Sequence, residues 1–99
     1  MLKIEKTVQD KKATLYLAGR LDLLTASEME AAFREVVSDV DELILDLTSL
    51  EYVSSAGLRV LLFAQKALSV RGKLTVRNPN ETVSEIFRLT GFSDILNIE

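Results

Sequence analysis

The sequence predicts an α/β fold, with a mixed β-sheet whose parallel central strands are flanked by helices. Three observations predict it. Two alternating runs open the chain, helical apolar spacing then takes turns with short β-favouring runs, and Gly, Ser and Asn-Pro positions punctuate the changes. Strands that alternate with helices favour parallel pairing through right-handed crossovers. The expected order is β-β-α-β-α-β-α with a candidate final strand, in one domain spanning residues 1–99.

The first strand is read from Leu2, Ile4 and Val8, which alternate with Lys3, Glu5 and Thr7. Lys11–Lys12 marks a turn, after which Ala13, Leu15 and Leu17 alternate with Thr14, Tyr16 and Ala18, giving an edge hairpin. Thr25-Ala-Ser-Glu28 has capping-box spacing, and Met29, Phe33, Val36, Val37 and Val40 follow at helical intervals. Leu43-Ile44-Leu45 is apolar on both faces, as expected of a covered central strand. The next helix runs from Ala56 to a left-handed C′ position at Gly72. Leu74 and Val76 mark another strand. Asn78-Pro79 suits an N-cap with proline at the first helical position, and Val83, Ile86, Phe87 and Thr90 form that helix's inner face. Gly91-Phe92 reads as its C-cap, and Ile95–Ile98 as the candidate last strand.

Composition removes whole classes of function. The 99 residues contain no cysteine and no histidine, which excludes disulfides, thiol chemistry, cysteine-based zinc sites and Ser-His-Asp triads. No cofactor, no metal and no enzymatic activity are expected. A net charge of −3, from 15 acidic and 12 basic residues mixed along the chain, argues against nucleic acid or an anionic membrane as a partner. It favours a monomer that pairs transiently. The longest unbroken apolar run, Val60–Ala64, is too short to span a bilayer, and MLKIEKTVQDKK is too charged for a signal peptide. The expected location is the cytoplasm.

The stretch EYVSSAGLRVLL places Ser54 and Ser55 where a central strand hands over to a helix. Open α/β sheets put partner sites at such strand ends, and a helix start suits an anion. Serine is also among the best N-caps, which accounts for at least one of the pair. A doubled serine leaves a second hydroxyl whose role the spacing does not decide. The helix beyond carries more apolar residues than one stripe needs. Core packing explains most of them; Val60 and Phe63, framed by Arg59 and Lys66, are candidates for a docking surface. Asp22, after the Gly19-Arg20-Leu21 turn, is read both as a loop cap and as a partner residue.

LDLTSLEYVSSAGLRVLL resembles the signature of STAS domains, specifically of bacterial anti-sigma-factor antagonists. AGRLDLLTA and GKLTVRNPNETVSEIFRLTGF are similar to the family's stretches before the first helix and at its close. The resemblance implies a STAS-like domain that acts as a partner switch. Unmodified, such a protein binds an anti-sigma factor that is also a serine kinase, and so releases a sigma factor. Phosphorylation ends the binding and a serine phosphatase restores it. It aligns Ser55 with the phosphorylated serine, with Ser54 as second choice, and Gly57 and Leu58 with the family's Gly-Leu. Ser54 stands where the family usually has aspartate and Ala56 where a second Ser or Thr is common. Asp22, Ser54, Ser55, Gly57, Arg59, Val60 and Phe63 are the expected partner residues. Glu51 and Asp46 are expected to make the neighbourhood acidic, sharpening the effect of a phosphate.

Three other readings compete. Asp46 ends LILD much as the phospho-acceptor of response-regulator receivers ends a strand, but no acidic pair follows the first strand to hold Mg²⁺. A serine hydrolase needs a Gly-x-Ser-x-Gly elbow and a base, both missing here. A STAS module that senses a ligand or scaffolds a larger signalling complex, without phospho-switching, shares the fold, and sequence separates it poorly from the switch.

Overall fold

The structure, a computed structural model, describes residues 1–70 and 72–99. Strands β1 (Leu2–Gln9) and β2 (Lys12–Leu21) precede helix α1 (Ala26–Val37), strand β3 (Glu42–Val53) and helix α2 (Ser55–Ser69). Strand β4 (Lys73–Arg77), helix α3 (Glu81–Thr90), a 3₁₀ turn (Phe92–Asp94) and strand β5 (Asn97–Ile98) complete the chain. The sheet order is β1-β2-β3-β4-β5, with β1 antiparallel to β2 and every later pair parallel. The predicted mixed α/β architecture and element order are therefore observed, final strand included.

Alternation along the strands sends Leu15, Leu17, Leu43, Leu45, Leu47 and Val76 into one core. Met29 and Phe33 of α1, Leu61 and Leu68 of α2 and Phe87 of α3 close over it. Ile44 is buried as well but lies outside that core, on the opposite face with Thr14, Asp46 and Thr75. The apolar core therefore sits on one face of the central strand, and not on both faces as its composition implied. Phe33 meets Phe63 edge-to-face at 5.8 Å, joining α1 to α2.

Several local expectations are corrected. The hairpin turns at Asp10–Lys11, with Asp10 left-handed at φ 57°, and Lys12 already belongs to β2. No capping box forms at Thr25. Its buried hydroxyl instead donates to the Arg20 carbonyl at 2.9 Å and accepts from the Asp22 amide at 2.9 Å. Gly72 is not a left-handed cap. A Cβ there would lie 2.0 Å from the Asp41 carbonyl oxygen, so glycine is required by close passage of the neighbouring chain. Asn80, not Asn78, caps α3, its side chain accepting from the Val83 amide at 2.8 Å while its amide group donates to the Leu50 carbonyl. Gly91 does cap α3 in the left-handed conformation, at φ 83°.

Strand β3 extends well beyond its apolar Leu43–Leu45 run, 12 residues in all to Val53. Its pairing with β2 shifts twice, between Tyr16↔Asp46 and Ala18↔Ser49 and between Gly19↔Leu50 and Arg20↔Tyr52. Each shift accommodates one extra residue on β3 and bends it. The two strands then finish level, Leu21 opposite Val53. That register brings the loops after β2 and β3 side by side.

Candidate functional site

Asp22 and Ser54 are the first residues beyond the paired ends of β2 and β3, and the Ser54 amide donates to the Leu21 carbonyl at 2.9 Å. Gly57 permits this closeness. A Cβ at that position would fall 2.7 Å from Leu21 Cγ, 2.8 Å from its carbonyl oxygen and 3.1 Å from Val53 Cγ1. The first turn of α2 thus lies directly on the end of β2.

The two serines divide the work. Ser54 is the N-cap, extended at φ −92°, ψ 177°, and its hydroxyl accepts from the Gly57 amide at 3.4 Å while its carbonyl accepts from Leu58 at 2.8 Å. Ser55 is the first helical residue and is exposed. Its hydroxyl has no hydrogen-bond partner among the described residues. With Ser54 acting as cap, capping accounts for one serine, and the other is left facing solvent.

Asp22 folds back on its own loop. Its carboxylate accepts from the amides of Leu24 (3.0 Å) and Thr25 (3.3 Å) and from the Thr25 hydroxyl (3.3 Å), while Arg20 Nε stands 3.7 Å away. Desolvation alone would raise its pKa, but those hydrogen bonds and the N-terminal charge outweigh it and hold the carboxyl below its usual range. The loop-cap role is therefore observed, at a position adjoining the serines. Arg20 also lies over the Tyr52 ring, 4.5 Å from its centroid.

A groove of about 450 Å³ runs between α1 and α2 away from Ser55, lined by Leu23, Ala26 and Glu30 on one side and Ala56, Arg59, Val60 and Phe63 on the other. The structure thereby gathers Arg59, Val60 and Phe63 as one surface. Phe63 and Arg59 are exposed, whereas Val60 is buried and contributes only to the groove floor. Lys66 is exposed but does not line the groove. Arg34 covers the Phe63 ring at 4.9 Å while pairing with Glu30.

Sequence reasoning missed Leu23 and Leu24, which are 79% and 84% exposed, Leu23 lining this groove and Leu24 following it in the loop. The signal was available: two leucines directly after Asp22, before the helix begins, fit neither strand alternation nor the helical stripe.

Asp46 does not belong here. It sits seven residues before the end of an extended strand, roughly 20 Å from the junction at the usual rise per residue. Its carboxylate accepts from the Thr48 amide (3.0 Å), the Thr48 hydroxyl (2.6 Å) and Arg77 Nε and Nη2 (3.1 and 2.9 Å). Desolvation pushes its pKa up, yet the Thr48 and Arg77 contacts together bring it below the usual value. The charge is neutralised within the sheet, so of the two acids expected beside the serines only Glu51, exposed near the end of β3, remains.

Among the described residues no cluster of potential metal ligands occurs, and no helix is long and apolar enough to cross a membrane.

A family model described as "Mlab, STAS domain" matches residues 4–97. The anti-sigma-B factor antagonist of Staphylococcus aureus is 28% identical over 99 residues, covering 98% of this chain and 92% of that protein. An anti-sigma factor antagonist from Mycobacterium paratuberculosis superposes with a TM-score of 0.90 at 23% identity, covering 99% of this chain and 85% of the other. The Bacillus cell fate determinant SpoIIAA, solved in its phosphorylated form, superposes at 0.74 with 20% identity, covering 100% and 91%.

Proposed function

The chain belongs to the STAS domain family, and on that footing we propose that it is an anti-sigma-factor antagonist, a cytoplasmic partner switch set by one phosphate on Ser55. Its STAS antagonist relatives are regulators rather than enzymes. In this reading the unmodified protein docks on an anti-sigma factor that is itself a serine kinase, and a sigma factor is freed.

The kinase transfers the γ-phosphoryl group of ATP. The Ser55 Oγ–P bond forms as the bond to the β-phosphate oxygen breaks, ADP departs and the hydroxyl proton passes to a base on the kinase. A serine phosphatase reverses the state by hydrolysis to serine and inorganic phosphate. Phosphoserine adds about −1.5 to −2 charges and three acceptor oxygens. At the first residue of a helix that charge is favourable to the host fold. Its disruptive effect therefore falls on the docked partner, through repulsion and the desolvation of a dianion.

One observation carries the proposal: the Ser55 hydroxyl is exposed and unpartnered while its neighbour performs the capping. The relatives' names and the existence of a phosphorylated form of SpoIIAA support it. The departure from the family pattern at Ser54 is also accounted for. Aspartate and serine cap helices about equally well, so the exchange retains the local structure. That weakens the sensing or scaffolding alternative, whose main support was this departure.

Incubation with ATP and the cognate anti-sigma kinase, read by intact mass and peptide mapping, tests the assignment. One phosphoryl group on Ser55 is expected, retained in Ser54→Ala and lost in Ser55→Ala. Modification that persists in Ser55→Ala would contradict it.

A further inference from the structure

Among the described residues, every arginine but one is held by a partner. Arg20 faces Asp22 and Tyr52, Arg34 pairs with Glu30, Arg77 with Asp46 and Arg88 with Glu85. Arg59 is the exception among the described residues: exposed, with no ion pair, hydrogen bond or ring contact. It lies four residues after Ser55 on the same helix. Residues at i and i+4 share a helical face, and an anion N-terminal to a cation is the favourable order.

The nearby carboxylates do not compete for it. Asp22 is bound to its own loop amides and faces Arg20, and Glu30, across the groove, is paired with Arg34. Glu51 lies on β3, before the helix begins.

Resting on the assignment of Ser55 as the modified residue, we infer that Arg59 is the intramolecular partner of the Ser55 phosphate. The guanidinium and the free amides of the first turn of α2 then hold the phosphoryl oxygens from two sides. In the unmodified protein Arg59 offers its charge to the α1–α2 groove, where it lines one wall beside Phe63. Phosphorylation consequently changes the docking face twice: it adds a dianion next to Ala56, which lines the groove, and draws Arg59 onto it. Arg59 acts here as a positioning residue for the switch.

The test uses full-length protein with phosphoserine installed at position 55 during translation, so no kinase is involved. The second ionisation of the phosphate is followed by phosphorus NMR in the Arg59, Arg59→Gln and Arg59→Lys proteins. A cation one helical turn away stabilises the dianion, so the midpoint should lie about 0.3–0.6 unit lower with Arg59 than with glutamine, lysine recovering part of the difference. Salt at about 1 M should shrink the gap between the Arg59 and Arg59→Gln midpoints, because it screens the pair while acting equally on the phosphate itself. Identical midpoints in all three proteins, or a gap that salt leaves unchanged, overturn the inference. Because the phosphate is placed chemically, that failure is distinct from a kinase failing to modify Ser55, which would instead strike at the proposed function.

Discussion

Strand β3 carries one polar cluster around Asp46 and leads into another at Ser54–Ser55, and the two are built in opposite ways. Around Asp46 the carboxylate accepts four hydrogen bonds from Thr48 and Arg77 and is buried. At the start of α2 Ser54 is engaged as the cap, while the hydroxyl of Ser55 and the guanidinium of Arg59 face solvent without partners among the described residues. A satisfied polar cluster stiffens a sheet and has little left to offer another molecule. An unsatisfied one at the surface contributes little to stability and stays available. The comparison separates an anchor from a site, although both are rich in charge and hydroxyl groups.

Substitution should expose that contrast. The greatest loss is expected from Asp46→Ala, which strands Arg77 and the Thr48 hydroxyl; about 2–4 kcal/mol should disappear in urea unfolding. A loss below about 0.5 kcal/mol would show that the cluster is not an anchor. Gly57→Ala comes next, at about 1–3 kcal/mol, because the added methyl collides with Leu21 and Val53 and must lift the first turn of α2. The same lift should weaken partner binding, which calorimetry with the anti-sigma factor would register. Ser54→Ala removes the cap and should cost about 1 kcal/mol while leaving Ser55 modifiable. Ser55→Ala should change stability by less than about 0.5 kcal/mol, since its hydroxyl is unused by the fold.

Acid provides an independent view of the anchor. The native pKa of Asp46 lies below its unfolded value of 3.8. A carboxyl depressed in the folded state contributes stability that is present above the unfolded pKa and lost as the pH falls through the native one. Wild-type stability should therefore decline below about pH 4, and Asp46→Asn should flatten that limb. Asp22 acts with the same sign, so some slope should persist in the variant. An unchanged acid limb would mean that Asp46 is not an appreciable source of it.

The element order was legible in the sequence because periodicities of strand and helix follow one another with clear punctuation. The length of β3 was not. Thr48, Ser49 and Glu51 are exposed polar residues that read as a loop, and only pairing with β2 through two register shifts keeps them in a strand. Cap positions slipped for a related reason. Asn78-Pro79 has the composition of a helix start, but Asn80 gains a second hydrogen bond to Leu50 that no local pattern contains. At the site, the doubled serine revealed a spare hydroxyl, and the structure decided which one it was. Asp46 was misplaced because sequence proximity to Ser55 conceals the reach of an extended strand. Leu23 and Leu24 were overlooked because apolar residues were assigned to the core by default.

The most direct measurement compares, by calorimetry, how tightly the unmodified and Ser55-phosphorylated proteins bind the cognate anti-sigma factor. The account predicts at least about a 100-fold loss of affinity on phosphorylation, as expected when a dianion is forced into a docked surface. Equal affinities for the two forms would contradict it.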